Sequence, residues 1–203
     1  MHMNSIQLND TDALLVIDMQ YDFLPGGALG VPQGDEVLAP INTLMAGFAA
    51  RGLPVYASRD WHPEDHVSFK ARGGPWPPHC VAETDGACFS KELALPADTV
   101  IISKAETADA DAYSAFNGTA LADHLRQHGI TRVFVCGLAT DYCVLNTALD
   151  GRANGFEVVI LPEAMRAVNV ESGDGERAIR KMVEAGARTA GLGELALAEA
   201  SAA

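Results

Sequence analysis

Apolar positions along the chain fall in short, nearly continuous runs rather than in strict alternation. "ALLVID" (13–18), "PVYASR" (54–59), "TVIIS" (99–103), "RVFVC" (132–136) and "EVVIL" (157–161) are rich in β-branched residues, and "ARTAGL" (187–192) is a weaker sixth. Runs of this kind suit strands covered on both faces, as in a parallel sheet. Between them, "DEVLAPINTLMAGFAARG", "GTALADHLRQHG", "CVLNTALDGRANG" and "ESGDGERAIRKMVEAG" carry helical patterns. These close on Gly52, Gly129, Gly155 and Gly186, and glycine past the last periodic residue is the usual helix stop. The order βαβ…βαβαβα predicts an α/β fold: an open, mostly parallel, Rossmann-like sheet of about six strands with helices on both faces. Residues 1–203 read as a single domain. The rhythm breaks over about 59–96, which holds Pro63, Pro75, Pro77, Pro78, paired glycines and three of the six histidines. A long irregular insert in a compact domain is usually functional.

Composition narrows the function classes. A hydrophobic fraction of 48% supplies a core, and only the Ala-rich tail "ALAEASAA" departs from globular composition. The net charge of −13, with 14 scattered Lys and Arg, excludes nucleic acid and anionic membranes as expected partners. No signal peptide pattern opens the chain, and no apolar run approaches the roughly 20 residues that span a bilayer. Cys80, Cys88, Cys136 and Cys143 form neither a CxxC pair nor a dense framework. A cytoplasmic, reducing setting is expected, where a special cysteine is catalytic rather than disulfide-bonded.

In open α/β sheets ligands bind at the carboxyl ends of the strands. Unusual polar residues fall there: Asp18 after the first run, Asp60 and His62 after the second, Lys104 after the third, Cys143 after the fourth. If a helix begins near Tyr142, Cys143 lies in its first turn, where the dipole favours a thiolate. Backbone N–H groups of Ala139 and Cys143 would then serve as an oxyanion hole. Taken alone, this cysteine reads more readily as a helix-packing thiol and Lys104 as a solvated strand-end lysine, while Asp18 reads equally as a cap. Asp60 and His62 are two apart and share a side on extended backbone. With His66 and His79 they make a donor set suited to Zn, Mn or Fe(II), or a set of loop hydrogen bonders. His124 and His128 lie four apart on a polar helix face and read as solvated. Phe23, Trp61, Trp76 and Tyr113 are core aromatics by default, or the walls of a slot for a flat ring.

"VIDMQYDFLPGGALGV", "SRDWHPEDHVSF", "GPWPPHCV", "AYSAF" and "VCGLATDYCV", in this order over about residues 13–170, resemble the nicotinamidases of the isochorismatase-like cysteine hydrolase superfamily. The resemblance implies the isochorismatase-like hydrolase fold, and roles follow motif by motif. Cys143 matches the nucleophile, Asp18 the base and Lys104 the third catalytic residue. Asp60, His62 and His79 match the ligands of one divalent ion (zinc, with iron or manganese as alternatives). His66 matches either a further ligand or a group behind the ligands. Phe23, Trp76, Tyr113, Leu138 and Ala139 match the substrate pocket, with a cis peptide bond between Leu138 and Ala139. The implied reaction is hydrolysis of nicotinamide, and of pyrazinamide, to the acid and ammonia through a thioester. An amidase for another small heteroaromatic or carbamoyl amide, or a catalytically silent metal-binding protein on the same fold, is the alternative. Homo-oligomerisation is left open. Two features depart from the pattern: Ala105 stands where members often have Gly, and the loop "AETADADAYSAF" brings Glu106, Asp109 and Asp111 towards the expected substrate entry.

Overall fold

Six strands form one parallel sheet, each built on the apolar run that predicted it. They are β1 (Asp12–Ile17), β2 (Val55–Asp60), β3 (Val100–Lys104), β4 (Arg132–Leu138), β5 (Glu157–Arg166) and β6 (Arg188–Thr189). The computed structural model describes residues 5–197, and the Ala-rich tail from 198 onwards lies outside them. The spatial order is β3-β2-β1-β4-β5-β6, with every pairing parallel. The weak sixth run contributes a strand of two residues, as its few apolar positions allow.

Alternate residues of the buried strands feed two separate cores. Leu14 and Val16 of β1, with Phe134 and Cys136 of β4, pack against α1 (Leu38–Ala50). Ala13, Leu15 and Ile17, with Val133 and Val135, face the other side. There they meet α2 (Leu121–Gln127), α3 (Leu145–Ala153) and α4 (Asp174–Glu184). Ile41, Leu44, Met45 and Phe48 of α1 recur at helical spacing and are fully buried, each contributing roughly 1.5–3 kcal/mol. A Phe48→Ala change would cost about 3–5 kcal/mol. The helix begins three residues later than its sequence pattern, because a 3-10 turn over Gly34–Val37 precedes it. Pro40 falls in the first α turn, where an N–H has no intrahelical acceptor anyway.

Parallel neighbours need a crossover. Between β2 and β3 that crossover is the Pro-rich insert, whose helical turns among the described residues are the 3-10 turns Lys70–Arg72 and Asp85–Ala87, with isolated bridges His62–Val81 and Phe69–Trp76 beside them. The sheet is pinned at its other end by Arg132, whose guanidinium grips the buried Asp12 carboxylate at 2.7 and 2.6 Å. No helix among the described residues is long and apolar enough to cross a membrane.

Candidate active site

Strand order reverses direction at β1, which has β2 on one side and β4 on the other. Ligands bind at such a switch point, beyond the carboxyl ends of the strands. In register, Ile17 pairs with Ser58 and with Gly137, and Asp60 pairs with Lys104. The residues that end β1 to β4 therefore share one level of the sheet, and their side chains converge.

Lys104 is the hub, 1% exposed. Its ammonium lies 3.0 Å from Asp18 Oδ2, donates to Asp60 Oδ1, and reaches Cys143 Sγ at 3.5 Å and the Ala112 carbonyl at 3.3 Å. Burial opposes its charge, but Asp18, Asp60 and Cys143 together raise its pKa well above the usual lysine value. For Asp18, burial is the larger influence and raises the carboxyl, with Lys104 opposing. Ser58 Oγ donates to Asp18 Oδ1 at 2.6 Å. Oδ2 has no donor in hydrogen-bond geometry despite its contact with the ammonium. That leaves Oδ2 with a lone pair to accept a proton. Donor atoms of Asp18, Asp60 and Cys143 all lie within 4.8 Å of one another.

The turn that delivers Cys143 differs from the expected α-helical first turn. Gly137 has φ +110°, and a Cβ there would sit 2.2 Å from the Ile17 carbonyl, so only glycine fits. The Leu138–Ala139 bond is cis. A π-helical turn over Thr140–Val144 follows, with the Val144 N–H donating to the Ala139 carbonyl, and α3 begins only at Leu145. Wide turns of this type cluster at functional sites. Cys143 is buried, and burial drives its pKa well up despite Lys104. Burial therefore opposes ionisation of this thiol, and the Lys104 ammonium is the influence that favours it.

Behind Asp60 stand two imidazoles. His62 Nδ1 faces the Ala105 carbonyl at 3.3 Å and His79 Nδ1 the Pro77 carbonyl at 2.8 Å. A carbonyl only accepts, so both Nδ1 atoms carry the proton and both Nε2 atoms present lone pairs. These lie 3.5 and 4.0 Å from Asp60 Oδ2. His62 Nε2 is buried without a hydrogen-bond partner. Two nitrogen lone pairs and a carboxylate oxygen converging in a buried site repel one another unless a cation lies between them. Burial keeps His79 below its usual pKa, hence neutral and able to ligate. The group Asp60, His62 and His79 fits a divalent ion, with the carbonyls fixing each tautomer as ligating histidines require. His66 stands outside this group. Its Nδ1 lies 2.7 Å from Ser68 Oγ, its Nε2 donates to the Ala110 carbonyl at 3.1 Å, and its ring stacks on His62 at 4.2 Å.

A pocket opens beside both groups. Phe23, Trp76, Tyr113 and Ala139 line it as expected, beside Asp60, His79 and Cys143. Trp76 Nε1 donates to Tyr113 Oη at 2.9 Å and holds that wall. Leu138 does not line the pocket: its side chain is fully buried in the core beneath. Trp61 instead carries the Arg59 guanidinium, 3.7 Å from its ring centroid.

The match to known proteins is extensive. The Isochorismatase domain model matches residues 12–193. The chain belongs to the isochorismatase family. Nicotinamidase of Escherichia coli (strain K12) is 40% identical over 196 residues, covering 86% of this chain and 92% of that protein. Among solved structures, the pyrazinamidase of Pyrococcus horikoshii in complex with zinc superposes with a TM-score of 0.86 at 49% identity, covering 89% of this chain and 99% of the other. PnC1 from L. infantum in complex with nicotinate gives 0.88 at 39% identity, covering 94% and 98%.

Within this isochorismatase-family site, several working parts carry no sequence signal. Ser58 holds Asp18. Gln20, fully buried, brackets the Asp60 peptide by donating to its carbonyl and accepting from its N–H, both at 2.8 Å. Tyr142 stacks edge-on against Trp76, 5.3 Å between centroids, and Leu29, Val31 and Val168 complete the walls. Ser58 fell within the run "PVYASR", which pointed to a strand, not to a role. Ala105, the departure from the family pattern, has φ +53°, a left-handed conformation that costs a non-glycine residue about 1–2 kcal/mol. The Ala105 carbonyl faces His62 Nδ1. The three acids of the following loop do not line the pocket: Asp109 pairs with Arg72 at 2.7 Å, while Glu106 and Asp111 line a separate cleft beside Lys104.

Proposed function

We propose that the chain hydrolyses nicotinamide to nicotinate and ammonia, with pyrazinamide as a second substrate. The observation that carries this reading is a pocket with aromatic walls, lined by Cys143, Asp60 and His79, where Cys143 is backed by the Lys104 ammonium and the Asp18 carboxylate and Asp60 and His79 belong to a divalent-ion group. The 40% identity to a nicotinamidase and the likeness to pyrazinamidase and nicotinate-bound structures support the choice of amide. A divalent ion held by Asp60, His62 and His79 would bind the ring nitrogen and fix the substrate, and zinc suits the two imidazoles and one carboxylate.

The chain's own residues perform the chemistry. Asp18 Oδ2 takes the Cys143 proton as sulfur attacks the carboxamide carbon. Burial raises the pKa of Asp18, which favours its holding that proton. N–H groups of Ala139 and Cys143 receive the oxyanion. Asp18 then passes its proton to the departing nitrogen, ammonia leaves, and a thioester remains on Cys143. Water attacks the thioester, giving up a proton to Asp18, and the carboxylic acid departs as the thiol is restored. Lys104 stays charged throughout and balances Asp18, Asp60 and the transient sulfur anion. The four cysteines are free, in keeping with a reducing cytoplasm.

The deciding experiment is ammonia release from nicotinamide, with and without chelator and with zinc restored. Turnover that falls on chelation and returns with zinc is expected. No ammonia from the zinc-loaded protein would overturn the reading. Benzamide, which lacks the ring nitrogen, should turn over poorly even when the metal is present.

A further inference from the structure

The helix α2 presents a second pair of imidazoles, neither of which lines the pocket. His124 and His128 do not project separately into solvent. Their rings stack, with centroids 4.3 Å apart and planes 21° from parallel. His128 Nδ1 donates to the His124 carbonyl at 2.8 Å, so its Nε2 carries the lone pair. His124 Nδ1 lies 3.0 Å from Oη of Tyr56, a β2 residue only 1% exposed. Among the described residues neither Nε2 has a hydrogen-bond partner. His124 is half-buried and His128 exposed.

We propose that His124 and His128 form a second transition-metal site, taking Ni²⁺, Cu²⁺ or Zn²⁺ through their two Nε2 atoms with water completing the coordination. Imidazoles at i and i+4 on one helix face are a metal-chelating spacing. A metal-bound imidazole needs its other nitrogen protonated and held by an acceptor. His128 has such an acceptor in a backbone carbonyl, and His124 has one in the Tyr56 hydroxyl. Stacking keeps the two rings together on one face of the helix. Two neutral nitrogen donors without a carboxylate favour borderline ions over Ca²⁺ or Mg²⁺ and rank Cu²⁺ above Ni²⁺ and Zn²⁺. The net charge of −13 adds a general attraction for cations. Tyr56 ties this helix to β2, so an ion bound here favours the native packing and raises the melting temperature by mass action.

The test is calorimetric titration of the full chain with Ni²⁺. The wild type should bind two ions per chain, one in the pocket and one on α2. His124→Ala and His128→Ala should each bind one and hydrolyse nicotinamide at the wild-type rate. Tyr56→Phe should keep two ions but weaken the second by about tenfold, the usual effect of removing a partner behind a ligand. One ion in the wild type, two in either alanine variant, or a loss confined to one of the two variants would overturn the site.

Discussion

Cys136 and Cys143 flank the same strand end, and both are buried thiols whose pKa burial drives upward. Cys136 has little else: its Sγ lies 3.6 Å from the Leu15 carbonyl within the apolar core. Cys143 meets an ammonium at 3.5 Å, a carboxylate with a free oxygen, and an open pocket. Burial alone therefore does not separate an inert cysteine from a reactive one. The difference lies in whether a proton acceptor and a counter-charge wait beside the sulfur. At Cys143 the Asp18 carboxylate can take the thiol proton and the Lys104 ammonium can balance the sulfur charge.

The largest expected effect breaks the pair apart. Cys143→Ala should lower kcat by about 10⁴-fold or more, whereas Cys136→Ala should leave kcat within about twofold and cost about 1–2 kcal/mol of stability through the small cavity. Steady-state ammonia release and urea denaturation measure the two. Appreciable turnover by Cys143→Ala would remove the covalent step. Next comes the counter-charge. Lys104→Met leaves Asp18 and Asp60 buried without their cation, so a loss of about 3–5 kcal/mol in stability is expected. A fall in kcat of about 100-fold or more should accompany it. Unchanged stability would mean that the two carboxylates are neutralised in some other way.

Chelation sharpens the contrast between chemistry and placement. Removing the divalent ion should raise KM for nicotinamide by at least about tenfold, equivalent to about 1.4 kcal/mol of binding. The acid–base pair at Cys143 is still in place, so kcat should change less. If kcat collapses while KM holds, the ion takes part in bond breaking and the division of labour drawn above is wrong.

How much of this was legible beforehand depends on what kind of feature is asked for. Strand runs and glycine stops gave the sheet, because burial on both faces and helix termination are local demands. Asp18, Asp60, Lys104 and Cys143 could be placed together because each follows a strand of a parallel sheet, and parallel strands end on one side. The π-helical turn at Thr140–Val144 was not legible, since a wide turn has no residue pattern of its own. Neither were the carbonyls of Ala105 and Pro77 that set the imidazole tautomers: every residue has a carbonyl, and only the fold says where it points. His66 carried the residue type of a ligand, yet the structure engages both its nitrogens elsewhere. His124 and His128 showed the converse, a pair whose spacing was visible but whose partner Tyr56 was not.

Ser58 provides the smallest and most specific test. Its hydroxyl occupies Asp18 Oδ1 and leaves Oδ2 as the working oxygen. Catalysis needs Asp18 unprotonated, so activity is lost as pH falls through its pKa. Burial raises that pKa above 3.8, so the acid limb of kcat/KM should lie above the ordinary carboxylate range. Ser58 counts among the influences that lower it. Removing the donor in Ser58→Ala therefore raises the pKa further and moves the acid limb to higher pH. At pH well above the limb, kcat should fall by no more than about tenfold and KM should hold, because the metal group and pocket walls are untouched. Ser58→Thr keeps the hydroxyl and should return the limb to its wild-type position. A limb that stays in place in Ser58→Ala, or moves equally in Ser58→Thr, would show that Ser58 only fills space and that Lys104 alone tunes the base.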